Sequence, residues 1–307
     1  RPNKSAERKI LMDSMGSLSE VFNFSEYRYI GFGSLWFVDF VLLHKHVGVT
    51  DMHSIESEMH YEKRVKFNKP LGCINVHMGR SEEILPDLID SESRTILWLD
   101  YDGILESALK GGDIEHVVSE VPSGSLLLVT VNADHFQLKD KNFNGQELSP
   151  SEYLESFCEE YLPADFESKL TKNQFPKLVG EVILNAMKST ALDNRNDVRF
   201  YPLWNICYAD GVKMVTAGGI LLSPEDFDIF QRLNIGQKNP FMSLDSVQKD
   251  LDLPILTLKE KMHLDSKLPS VVGLKTKDIE FTMTQKDLET YQSLYKYFPM
   301  YGEMSVF

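Results

Sequence analysis

Apolar positions along the 307-residue chain change their period several times. Over residues 4–22, Ile10, Leu11, Met15, Leu18 and Val21 recur at three- and four-residue spacing, which predicts an amphipathic helix. A short apolar run at 27–30 then leads into Gly31-Phe32-Gly33-Ser34, and a second helix is expected from Phe37 to His46, stopped by Gly48. From there short apolar runs alternate with charged, helical stretches. Strands are expected at 49–55, 71–76, 95–99 and 125–131, with helices at 57–67, 81–89, 103–110 and 113–120 between them. Strands that read as continuous apolar runs, each followed by a helix, belong to a parallel sheet buried on both faces.

Residues 135–198 break that rhythm and are expected to form a helical insertion, with helices near 150–161 and 176–190. Two β-rich runs at 199–208 and 212–220 then flank Ala209-Asp210-Gly211, a strong hairpin signal. Five βα units closed by an antiparallel hairpin predict an α/β fold: a doubly wound, seven-stranded Rossmann-like sheet over residues 1–222. Residues 223–307 are expected to be a mainly helical appendage. It opens at Ser223-Pro224-Glu225-Asp226, with further helices at 257–266 and 284–297.

Composition narrows the function classes. A formal net charge of −14 argues against an extensive nucleic-acid surface, although Lys4, Arg8 and Lys9 and then Lys63, Arg64, Lys66 and Lys69 form local basic clusters. The longest apolar stretch, 35–43, is interrupted by Asp39 and falls short of the roughly 20 residues a membrane helix needs. No leader pattern follows Arg1. Three widely spaced cysteines, Cys73, Cys158 and Cys207, form neither a disulfide framework nor a zinc spacing, which suits a reducing cytoplasm.

Candidate chemistry sits at the strand ends, where ligands lie in doubly wound sheets. Gly31, Phe32, Gly33 and Ser34 form a turn whose backbone N–H groups can approach a ligand closely, at the mouth of a helix. Glu56, 23 residues after Gly33, ends the second strand and is placed to accept two ribose hydroxyls; a helix-start role would explain it equally. Gly79 and Ser81 form the next wall. The fourth strand ends in Asp100-Tyr101-Asp102, where a carboxylate can bind an amine or take a proton; Asp102 is equally suited to start the next helix. Asn132, Asp134 and His135 follow the fifth strand as candidates to face a substrate.

Together Arg1-Pro2-Asn3-Lys4, Glu7-Arg8-Lys9, Tyr29 to Ser34, Asp39-Phe40, Ser54-Ile55-Glu56, Phe67-Asn68-Lys69-Pro70 and Trp98 to Asp102 resemble a bacterial O-methyltransferase family. Its members look like parts of mobile or phage-defence gene clusters. The resemblance covers roughly residues 1–220 and implies a class I S-adenosyl-L-methionine (SAM) methyltransferase fold. It also implies SAM held by Gly31, Phe32, Gly33, Ser34, Glu56, Gly79, Ser81, Asp100 and Tyr101. Asp100, Asp102 and His135 would then do catalytic work on an acceptor that is a small molecule, a nucleotide or a macromolecule. Two departures matter. Tyr29 stands where the broader pattern has an acidic residue, and Leu35 stands where it has a third glycine. Neither the Asn/Asp-Pro-Pro-Tyr/Phe motif of amino-methylating DNA enzymes nor a Pro-Cys nucleophile is present. Two alternatives stay open: a SAM- or nucleotide-binding component of a protein assembly without turnover, and a metal-dependent nucleotide-processing enzyme using Asp100 and Asp102.

Overall fold

The computed structural model describes residues 2–138, 142–143, 146–166, 170–235 and 239–299. In chain order the sheet-forming part runs α1 (Pro2–Leu18), β1 (Arg28–Gly31), α2 (Val38–Val47), β2 (Asp51–Glu56), α3 (Glu62–Asn68), β3 (Ile74–Met78), α4 (Ser81–Leu88), β4 (Thr95–Ile104), α5 (Leu105–Lys110), α6 (Asp113–Glu120) and β5 (Leu126–Asn132). A small hairpin, β6 (Asn142–Phe143) with β7 (Gln146–Glu147), precedes α7 (Pro150–Cys158) and α8 (Gln174–Asn194). The long hairpin β8 (Arg199–Ala209) and β9 (Lys213–Leu222) follows, then α9 (Pro224–Gln231), β10 (Lys249–Leu251), α10 (Leu258–Asp265) and α11 (Gln285–Leu294).

The main sheet has eight strands in the order β10-β8-β9-β5-β4-β1-β2-β3. β3, β2, β1, β4 and β5 run parallel, while β9 is antiparallel to both β5 and β8. The doubly wound sheet with its closing hairpin is therefore present, and β10 adds an eighth strand, parallel to β8. Both faces are apolar because successive side chains point opposite ways. Ile96, Trp98, Leu126 and Leu128 enter one core with α1 and α2, and Leu97, Leu99, Leu127 and Val129 enter the other with α5, α6 and α8.

Three elements differ from the periodicity reading. β4 runs on to Ile104, and between Asp100 and Ile104 it bulges against β5. The helical stretch after it starts only at Leu105 and breaks into α5 and α6 at Gly112, whose φ of +73° suits glycine. The third difference is at the C-terminus, where the segment expected as an appendage contributes a strand to the sheet and packs against α1. Leu264, Leu288, Tyr291 and Phe298 share one core with Ile10, Leu11 and Met15. Polar contacts fix the same docking: Leu253 N–H donates to Asn3 Oδ1 at 2.9 Å and the Tyr297 hydroxyl donates to Asp13 at 2.7 Å. Side-chain caps start the later helices, with Ser149 and Glu152 forming a capping box on α7 and Thr257 and Glu260 another on α10. No helix among the described residues is long and apolar enough to cross a membrane.

Candidate functional site

Strand register builds the site. Gly31 is paired with Ser54 on β2 and with Trp98 on β4. Glu56 and Asp100 each lie two residues beyond that row on β2 and β4, and the turn that holds Gly33 leaves β1 between them. The Gly33 N–H donates to the buried Ser54 Oγ at 3.1 Å, which clamps the turn onto β2. A Cβ built on Gly33 would stand 2.6 Å from the Phe37 ring, so only glycine fits. On the next strand Glu56 pairs with Met78, and its carbonyl accepts the Gly79 N–H at 3.0 Å. One Glu56 carboxylate oxygen accepts the Glu58 N–H at 3.0 Å. Ser34 is exposed, with φ at +46°, and Phe32 packs edge-to-face on Tyr101 with ring centres 5.1 Å apart.

Tyr29 has a specific job. Its side chain is fully buried beneath Gly31, and its hydroxyl donates to Asp39 in the first turn of α2. A carboxylate, that of Asp39, thus lies against the Tyr29 hydroxyl and 3.9 Å from Arg8. Burial raises the Asp39 carboxyl, while Arg8 and the Tyr29 hydroxyl oppose that shift. Burial, with the Asp39 charge added, holds the Tyr29 phenol well above its ordinary value.

The first turns of α1 supply cations to the same region. Lys4 Nζ lies 2.7 Å from Asp100 Oδ2, and the Arg8 guanidinium lies 3.7 Å from Asp100 and 3.9 Å from Asp39. Burial works against the Arg8 charge, but Asp39, Glu7 and Asp100 outweigh it and raise its pKa. A divalent ion held by Asp100 and Asp102 would compete with Lys4 for Asp100. Asp102 does not cap α5, whose N-cap is Ile104; it is exposed and lines a cavity of about 160 Å³ with Lys4, Asn132, Tyr208, Asp210, Val212 and Met214.

The other expected residues serve the surrounding frame as well. The Tyr101 hydroxyl donates to Asp113 at the start of α6, and the Ser81 hydroxyl joins the same cluster. His135 Nε2 lies 2.8 Å from the Leu170 carbonyl, and its ring meets Phe175 edge-on, so it ties the segment before α8 to the end of β5. α8 layers on the sheet against β8, β9 and α6. The cavity that Asp102 lines is bounded by Lys4 of α1 and the turn between β8 and β9, and none of its lining residues lies in 135–198. Sequence reasoning did not assign roles to Lys4, Glu7, Arg8 or Asp39, although all four lie in the stretches that carry the family resemblance.

A family model described as "Putative O-methyltransferase" matches residues 1–306. No curated protein matches. Among solved structures, a Pyrococcus horikoshii transferase is similar at 8% identity, covering 69% of this chain and 64% of that one, with a TM-score of 0.36. Trm1 from the same organism, solved with S-adenosyl-L-methionine, is similar at 12% identity, covering 73% of this chain and 56% of that one, with a TM-score of 0.47. The chain therefore spans less than two thirds of the length of either protein. The O-methyltransferase TomG from Streptomyces achromogenes, solved with SAM, shows 12% identity over 69% of this chain and 78% of that one, with a TM-score of 0.37. The match over residues 1–306 makes the assignment direct: the chain belongs to the family described as "Putative O-methyltransferase".

Proposed function

We propose that this chain transfers a methyl group from SAM to a hydroxyl-bearing acceptor, with the cofactor lying across the ends of β1, β2 and β4. The observation that carries the reading is that the glycine turn leaves β1 between β2 and β4, whose carboxyl ends carry Glu56 and Asp100. Methyl transfer is the chemistry of the family, and SAM is the cofactor that goes with it.

The residues fit that group. Gly31 and Gly33 let the turn pack closely on Tyr29 and Phe37 rather than clearing space for a ligand, and Glu56 is placed at the ribose end. Asp100 Oδ1 is buried and has no hydrogen-bond partner among the described residues, as suits a carboxylate that receives a ligand ammonium. When bound, SAM supplies an electrophilic methyl group on a sulfonium. The protein's part is to align the acceptor and to govern its protonation. Lys4 and Arg8 hold Asp100 in place, and Tyr29 and Asp39 support the turn from below. His135, committed to Leu170 in this structure, acts in this proposal by positioning the loop after β5.

A second reading, binding without turnover as part of a protein assembly or defence system, is favoured by the ion pair that already occupies Asp100 Oδ2. Calorimetry separates these readings from a different ligand. SAM and S-adenosylhomocysteine both bind the wild type, and Glu56→Ala weakens both by roughly 10- to 100-fold, the worth of hydrogen bonds to a charged group. A Glu56→Ala affinity within twofold of wild type contradicts this placement of the cofactor. Turnover of bound SAM to S-adenosylhomocysteine in the presence of small hydroxyl compounds excludes the non-catalytic reading.

A further inference from the structure

Asp100 is the carboxylate that the proposed cofactor placement needs, and a side chain of the same protein sits on it. Lys4 Nζ lies 2.7 Å from Asp100 Oδ2. The two side chains are 15% and 14% exposed, so the pair is shielded from water without being sealed. The other carboxylate oxygen, Asp100 Oδ1, is enclosed by protein. A ligand ammonium therefore reaches this carboxylate from the side that Lys4 holds. Two ammonium groups do not share that place, because each is a compact, strongly hydrated point charge and like charges in contact repel.

Moving α1 is not the way to clear it. The backbone N–H groups of Asn3 and Lys4 donate to Asp210, Asn3 Nδ2 donates to the Ala209 carbonyl, and Asn3 Oδ1 accepts the Leu253 N–H. Ala6, Ile10 and Leu11 of the same helix are fully buried. The Lys4 side chain is freer. Its four-carbon stem is flexible, and it lines the cavity of about 160 Å³ together with Asp102. Asp102 is exposed and lies two residues beyond Asp100 in β4. A swing of the side chain, with the helix in place, carries the ammonium from one carboxylate towards the other.

From this geometry we infer that Lys4 is an internal competitor for the cofactor: its ammonium holds Asp100 where the amino-acid ammonium of SAM goes, and SAM binds by displacing it towards Asp102. The inference rests on the placement of SAM proposed above. The exchange keeps charge balanced. In this structure Lys4 neutralises Asp100; with the cofactor ammonium on Asp100, Lys4 neutralises Asp102 instead. Arg8, 3.7 Å from Asp100 and 3.9 Å from Asp39, stays with both carboxylates throughout. The device sets selectivity as well as affinity. Breaking a shielded ion pair without replacing it strands a charge, which is strongly unfavourable. Only a ligand that brings its own ammonium releases Lys4, and an adenosine without the amino-acid end leaves the pair intact.

Calorimetry with two ligands tests this without knowledge of the acceptor. S-adenosylhomocysteine carries the amino-acid end of SAM, and 5′-methylthioadenosine, titrated by displacement of S-adenosylhomocysteine, lacks it. Lys4→Met keeps an unbranched side chain and removes the competing charge. It is expected to bind S-adenosylhomocysteine about 10-fold tighter than the wild type, the scale of one charge-assisted hydrogen bond, and to bind methylthioadenosine unchanged. Asp102→Asn is expected to act the other way, weakening S-adenosylhomocysteine by about threefold and leaving methylthioadenosine unchanged, because the displaced Lys4 has lost its receiving carboxylate. Position 102 is exposed, so this variant carries the test should Lys4→Met not fold. An unchanged or weakened affinity of Lys4→Met for S-adenosylhomocysteine overturns the inference. So does an equal gain for both ligands, which would make Lys4 a general obstruction, and so does an Asp102→Asn protein that binds S-adenosylhomocysteine as the wild type does. If neither ligand binds the wild type, the cofactor placement itself fails and the inference falls with it.

Discussion

At the scale of single residues, Glu7 and Asp39 show how the site is assembled from groups far apart in sequence. Both lie in stretches that carry the family resemblance, but their spacing alone gives neither of them a role. Asp39 reaches the glycine turn through the Tyr29 hydroxyl, which donates to it beneath Gly31. No spacing rule predicts that contact, since it depends on how α2 packs against β1. Gly33 and Glu56 are different: a turn glycine and a strand-end carboxylate were legible because the strand register fixes where they point. Glu7 also makes stability depend on pH. Its carboxyl is raised by burial from 4.5 to about 7 in the folded state, so between those values the folded chain keeps a proton that the unfolded chain has lost. Stability from this group is complete below the unfolded value and is lost as pH rises through about 7, by at most roughly 3 kcal/mol. Urea unfolding at pH 5 and pH 8 reads the effect. Wild type loses stability over that interval relative to Glu7→Gln, and parallel pH dependences in the two proteins would show that Glu7 does not titrate there.

At the scale of elements, α1 joins the site because its N-terminus is capped from across the fold. The backbone N–H groups of Asn3 and Lys4 donate to the Asp210 carboxylate at 3.1 and 2.8 Å, and Asn3 Nδ2 donates to the Ala209 carbonyl at 2.7 Å. The Asp-Gly pair was legible as a hairpin turn, but its second role as a helix cap was not, because the partners are more than 200 positions apart. Asp210→Ala is expected to cost about 1 kcal/mol, the usual worth of such a cap, and to lower the urea midpoint with an unchanged slope. An unchanged midpoint would show that the α1 N-terminus needs no cap. Most helices and strands were readable from period and punctuation. The β4 bulge was not, since nothing in Asp100 to Ile104 marks the point where pairing with β5 slips.

At the scale of the whole molecule, the antiparallel closing hairpin was the feature that distinguished this sheet from a plain dinucleotide-binding one, and it is present. The C-terminal segment was less legible. Its helices read as a separate appendage because amphipathic helices look alike whether they cover their own core or a neighbour's. Here β10 extends the sheet, and Leu288 and Tyr291 bury themselves with α1. The C-terminal segment thus backs the helix that carries Lys4, Glu7 and Arg8. The central claim, a SAM site across the ends of β1, β2 and β4, is tested most directly by hydrogen exchange with and without S-adenosylhomocysteine. The account predicts slowed exchange at residues 31–37, 56–58, 79–82 and 100–104. No slowing in these four segments at saturating ligand, or slowing confined to the C-terminal helices, would contradict it.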